Sequence, residues 1–118
     1  MIGDCYRQAG REITDHTSRE DLTLCHGYPI LRGGEHVGER FGHAWLEYQD
    51  ETGVWYVVDP STGGIRVQRV LWYALGHIDP KHVHRYTRRE AVWEMVETEV
   101  WGPWVDDPEE YEVRYTND

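Results

Sequence analysis

The chain alternates short apolar runs with breaks rich in glycine and charge, and the period of each run predicts its element. In residues 4–17, Cys5, Ala9 and Ile13 recur at i, i+4 and i+8, and Tyr6 and Gly10 widen the stripe. A helix is expected there, with Asp4 as its N-cap. Residues 22–30 alternate Leu22, Leu24 and His26 with Thr23, Cys25 and Gly27 and read as a strand that Pro29 closes. The glycine-rich, charged stretch 31–42 reads as a long surface loop. Within residues 42–61, two aromatic and β-branched runs flank Asp50-Glu51-Thr52-Gly53, a β-hairpin signature. Both faces of this hairpin are substantially apolar, so it is expected to be a central, covered part of a sheet. Further short elements follow: a strand at 65–67, a helix at 70–75 stopped by Gly76, and a strand at 82–86. Thr87 and Glu90 have the spacing of a capping box. The helix they open is expected to run to about Val100 and to bury Val92, Met95 and Val96, extended by Trp93 and Val100. Gly102-Pro103 breaks it, and the alternation of Tyr111, Val113 and Tyr115 suggests an edge strand.

The hairpin carries the first chemistry. If Tyr48 pairs with Val54, the same register sets His43 opposite Asp59, where a carboxylate can hold an imidazole. Trp45, Glu47, Trp55 and Val57 share that face; Ala44, Leu46, Tyr48, Val54, Tyr56 and Val58 share the other. A histidine oriented by an aspartate lacks only a nucleophile. Cys5, at a helix N-terminus, has the unpaired N–H groups and dipole that favour a thiolate and can receive an oxyanion. Cys25 and His26 are adjacent and point to opposite faces of one strand, so they cannot act as a pair, and Cys25 reads as core.

These residues carry a resemblance. Gly3-Asp4-Cys5-Tyr6-Arg7-Gln8-Ala9 resembles the G-x-C-x-x-x-A helix start of the transglutaminase-like family, and Leu24-Cys25-His26-Gly27-Tyr28 resembles its following strand. Gly42-His43-Ala44-Trp45-Leu46-Glu47 is similar to the H-A-W-x-E strand, and Trp55 through Ser61 to W-x-x-x-D-P-[ST]. The resemblance covers residues 3–62. It implies an α+β fold of the papain-like superfamily, a Cys-bearing N-terminal helix packed on an antiparallel sheet, with helices added C-terminally. The whole chain, 1–118, would be one minimal domain, its segment 65–118 a helical extension and acidic tail. By the resemblance Cys5 is the nucleophile, His43 the acid and base, and Asp59 the orienting group of a thiol hydrolase or transamidase. Tyr6, Gln8, Tyr28, Trp45 and Trp55 are candidate substrate-binding residues, with Gln8, Tyr28 or Trp45 as possible oxyanion donors, since no upstream side-chain donor has a counterpart here.

Composition narrows the alternatives. The 118 residues suit a single domain, and six Trp, eight Tyr and one Phe argue against disorder. No apolar run is long enough to span a bilayer, and no secretory signal is read at the N-terminus. Two cysteines cannot make a dense disulfide framework, so a cytoplasmic setting with free thiols is expected. The net charge of −10 is concentrated at residues 94–118, with one basic and nine acidic side chains. That balance disfavours nucleic acid and points instead to a peptide, protein or small amide substrate without a membrane. Neither a calcium loop nor a CxxC or HExxH pair is recognisable, so no cofactor or metal is expected; His77, His82 and His84 are the residual metal alternative. The basic cluster Arg66, Arg69, Lys81, Arg85, Arg88 and Arg89 suggests either a solvated face paired with the acidic tail or an anion site. A non-catalytic protein- or small-anion-binding module on the same scaffold is the competing reading.

Overall fold

The computed structural model describes residues 4–15, 17, 19–30 and 38–105, together with the backbone of Val113–Tyr115. Among these are three α-helices, α1 (Cys5–Thr14), α2 (Arg69–Leu75) and α3 (Arg88–Thr98). The strands are β1 (Thr23–Gly27), β2 (Arg40–Gln49), β3 (Trp55–Val58), β4 (Arg66–Gln68), β5 (His84–Tyr86) and β6 (Val113–Tyr115). The architecture is α+β. An antiparallel sheet runs β4-β3-β2-β1-β5, and β6 adds in parallel to the first residues of β2. No helix among the described residues is long and apolar enough to cross a membrane.

Strand β2 is the spine. Every residue from Gly42 to Tyr48 is buried, because both faces of the sheet are covered, as the apolar pattern on both faces predicts. On one face Leu24, Ala44, Leu46, Tyr48 and Val58 meet the α1 stripe of Cys5, Ala9 and Ile13. On the other face Cys25, Trp45 and Val57 meet Trp72 and Tyr73 of α2, with Ile78 and Val83. Cys25 and His26 do point to opposite faces, and Cys25 is core.

The hairpin register differs from the expected one by two residues. Tyr48 pairs with Tyr56 and Gln49 with Trp55, not Tyr48 with Val54. The reason lies in the turn. The Asp50 N–H donates to the Val54 carbonyl at 2.9 Å, so the loop closes on three residues, Glu51 to Gly53. Gly53 adopts φ +89°, the left-handed conformation a three-residue hairpin loop requires. The Asp50 carboxylate also accepts from the Thr52 and Val54 amides, at 2.9 and 3.0 Å, which fixes the tight form. A shift of two leaves each side chain on its expected face.

Helix α3 begins at the expected capping box: the Glu90 amide donates to Thr87 Oγ1 at 3.1 Å and the Thr87 amide to Glu90 Oε1 at 2.9 Å. Its buried face keeps only Met95 of the expected one. Ala91 is fully buried and Met95 packs beside it, whereas Val92, Val96 and Val100 are exposed and Trp93 is 64% exposed. The small Ala91 lets the helix backbone approach the sheet, and Met95, one turn on, follows it; the bulkier residues are turned outward. Trp104 returns to the core against His26 and Tyr86, while Trp101 lies over Gly10. The Gly102-Pro103-Trp104 corner therefore closes over His26 and Tyr6. Of the tail, residues 113–115 form the expected strand, while Tyr111 and the acidic residues 106–112 lie outside the described residues, as do 31–37 of the expected loop.

Candidate active site

Three distant positions converge. His43 is held in β2, its backbone paired with Gly27 of β1. Asp59 follows β3 and caps the short 3-10 turn Pro60–Thr62; its Oδ1 accepts from the Ser61 amide at 2.9 Å and the Ser61 hydroxyl at 2.6 Å. Its second oxygen, Oδ2, lies 2.6 Å from His43 Nε2. In the observed register Asp59 is diagonal to His43, not opposite it, and the turn brings the carboxylate back to the ring. The Cys5 side chain acts on the same imidazole, by hydrogen bonding and by charge. Cys5 is the first residue of α1, and α1 packs on both β2 and the Pro60–Thr62 turn. Asp4 stands at the N-cap position, but its carboxylate does not cap the helix and pairs with Arg7. The Gln8 amide donates to the Asp4 carbonyl at 3.0 Å. Earlier amides of a helix point outward from its end, the arrangement an oxyanion can use.

The electrostatics follow from this geometry. Burial lowers the affinity of His43 for a proton, but hydrogen bonds to Asp59 and Cys5, with the charges of both, outweigh it and bring the pKa up to about 9. Burial alone would raise Asp59; the hydrogen bond and charge of His43, with Ser61, hold it below the usual carboxylate range. One strand residue away, His26 does the opposite. It is 3% exposed, neither ring nitrogen has a hydrogen-bond partner among the described residues, and burial, then the charges of His84 and His43, push its pKa down to about 3. It is enclosed by the rings of Tyr6, Tyr86 and Trp104, with centroids 4.8–5.2 Å away. Gly102, at φ +134°, seals the cage: a Cβ there would lie 2.6 Å from His26 Cε1.

The remaining expected site residues divide. Tyr6 follows Cys5 and is buried with its ring against His26, Tyr28 is buried just beyond β1, and Gln8 is half-buried on α1. Trp45 is fully buried below His43, and its indole N–H donates to Glu47 at 2.9 Å. That N–H is committed, so Trp45 is not an oxyanion donor. Trp55 pairs with Gln49 at the far end of the hairpin and lies under the Arg69 guanidinium, so it does not line the site. Two features escaped the sequence reading. A cavity of about 310 Å³ with walls from Phe41, Trp72, Leu75 and Ile78 reaches His43 and Asp59. Glu47, 1% exposed, gathers Trp45, Tyr73, Arg69 and Arg85. A lone carboxylate in a strand apolar on both faces was the signal for the second.

The basic cluster divides: Arg69 and Arg85 meet at Glu47, and the other members go elsewhere. Arg66 lies over Tyr56, Lys81 pairs with Asp79, and Arg88 donates to the carbonyls of Ile13 and Arg19. His77, His82 and His84 do not assemble, and among the described residues no group of three His, Cys, Asp or Glu side chains is arranged to hold a metal. Comparison of the chain with protein-family models, with curated proteins and with solved structures finds no match.

Proposed function

We propose that the chain is a cysteine-dependent acyl-transfer enzyme of transglutaminase-like type, acting on an amide, peptide or isopeptide bond. The observation that carries this reading is the buried His43–Asp59 pair, 2.6 Å from imidazole to carboxylate, with the Cys5 side chain acting on the same ring. The Cys5 sulfur attacks the carbonyl carbon as thiolate; the imidazolium gives its proton to the leaving nitrogen as the C–N bond breaks. Water, or an amine in the transamidase case, then attacks the thioester, His43 takes the proton of the attacking group, and the sulfur is released. Asp59 keeps the ring oriented and stabilises its charged form throughout. Both cysteines are free, which suits a reducing compartment, and the reading takes the protein as cytoplasmic.

A second reading, a non-catalytic binding module on the same scaffold, is favoured by one observation: Cys5 is only 2% exposed. Thiol alkylation separates the two. With mass spectrometry locating the adduct, Cys5 is expected to react at about pH 6 faster than glutathione and to lose that advantage in His43→Ala. A Cys5 that reacts no faster than glutathione at any pH overturns catalysis and leaves the binding module.

A further inference from the structure

The Glu47 network has more donors than acceptors, and the excess opens into a cavity. Glu47 Oε1 accepts from Arg69 at 3.1 Å, with Arg85 Nε at 3.7 Å; Oε2 accepts from Trp45 and Tyr73. Tyr73 in turn accepts from Arg85 at 3.0 Å. The carboxylate is fully engaged, yet two guanidinium groups face one negative charge. Each guanidinium has five N–H groups, and each makes one hydrogen bond to the described protein. One arginine would neutralise Glu47; the second leaves a net charge of +1.

Both arginines line a cavity of about 500 Å³ on the α2 side of the sheet. Val70, Ala74, Ile78 and Pro80 give it apolar walls, and His77 lies at its rim. His77 holds φ +50°, a left-handed conformation rare for a residue with a Cβ, and its carbonyl is fixed by Arg40 at 2.8 Å. The nearest acid in sequence, Asp79, is turned to Lys81 and to the turn it caps. Among the described residues no second carboxylate forms an ion pair with either arginine, although Glu90 and Glu94 line a neighbouring cleft with Arg85. Helix α2 divides it from the apolar cavity at His43: Arg69, Tyr73 and Ala74 face one, Trp72 and Leu75 the other.

We propose that this cavity binds an organic oxyanion, a carboxylate or phosphate carried on an apolar body, with Arg69 and Arg85 as the anion clamp. The head group takes the open N–H groups of the two guanidiniums, as paired arginines do for planar oxyanions. The body lies against Val70, Ala74 and Ile78. The proposal does not depend on Cys5 chemistry.

The test is titration of the full chain, followed by amide and guanidinium NMR shifts, with benzoate, phenyl phosphate, acetate and benzyl alcohol. Benzoate or phenyl phosphate is expected to saturate with a Kd below about 1 mM. Acetate, without the body, and benzyl alcohol, without the charge, are expected to bind about tenfold more weakly or worse. Arg85→Gln should weaken the anion about tenfold. Because that change disturbs the Glu47 network, Ala74→Trp serves as the second variant: Ala74 is exposed, so the fold is kept while the cavity is filled. Loss of binding in Ala74→Trp supports the site. Failure of both aromatic anions to saturate, equal binding of benzyl alcohol, or binding that survives Ala74→Trp overturns it.

Discussion

A buried histidine without a partner makes a protein sensitive to acid in a way that can be calculated. His26 has a pKa of about 3 in the fold against an ordinary value of 6.5. The unfolded chain therefore takes up a proton near pH 6.5 that the folded chain refuses until about pH 3, and stability falls as pH falls between the two. The full shift corresponds to about 5 kcal/mol at 1.36 kcal/mol per unit. Between pH 6.5 and about 4.5 the loss from this group is about 2 kcal/mol, a large part of a small domain's stability. His26→Leu keeps an apolar body in the cage of Tyr6, Tyr86 and Trp104 and removes the titrating group. Urea unfolding followed by tryptophan fluorescence at several pH values measures the slope. The wild type should lose about 2 kcal/mol across this window, and His26→Leu should be flatter by that amount. Other titrating groups act equally in both proteins and cancel in the difference. Equal slopes in the two, or a wild type indifferent to pH here, would refute the burial argument.

Three further outcomes are expected. His43 shifts the other way, so its contribution is fully present below pH 6.5 and is lost as pH rises toward about 9, amounting to about 3 kcal/mol; Asp59→Asn should flatten that alkaline loss and lower the His43 titration seen by NMR. Glu47→Ala strands Trp45 Nε1, the Tyr73 hydroxyl and two guanidiniums, and should cost about 3–5 kcal/mol in urea unfolding, whereas an effect under about 1 kcal/mol would mean the carboxylate is not the hub of the network. Trp93→Ser and Val96→Ser, on the outward face of α3, should each change stability by less than about 0.5 kcal/mol; a larger loss would show that this face is buried after all.

The local signals in the sequence were reliable where one mechanism sets the outcome. The Thr87–Glu90 box, the Gly76 stop, the Cys5–Ala9–Ile13 stripe and the hairpin at Asp50–Gly53 each rest on hydrogen bonds or periodicity within a few residues. The convergence of Cys5, His43 and Asp59 was legible from motif order. Three things were not. The register depended on which of two turn lengths the Asp50 side chain favours. The buried face of α3 depended on tertiary approach, where Ala91 fits closer than the larger valines. The Glu47 network joined side chains up to 38 residues apart along the chain, and no local pattern links Glu47 to Arg85.

The two-residue slip in the β2–β3 ladder carries a wider consequence. A sheet distinguishes odd from even displacements and is nearly blind to the even ones. Lengthening or shortening the loop at Glu51–Gly53 by a pair of residues rewrites every cross-strand neighbour, yet each side chain keeps its hemisphere of the molecule. Such a slide would also carry Asp59 about 7 Å along His43, so the Asp50–Val54 closure that sets the register at the tip also keeps imidazole and carboxylate together at the root.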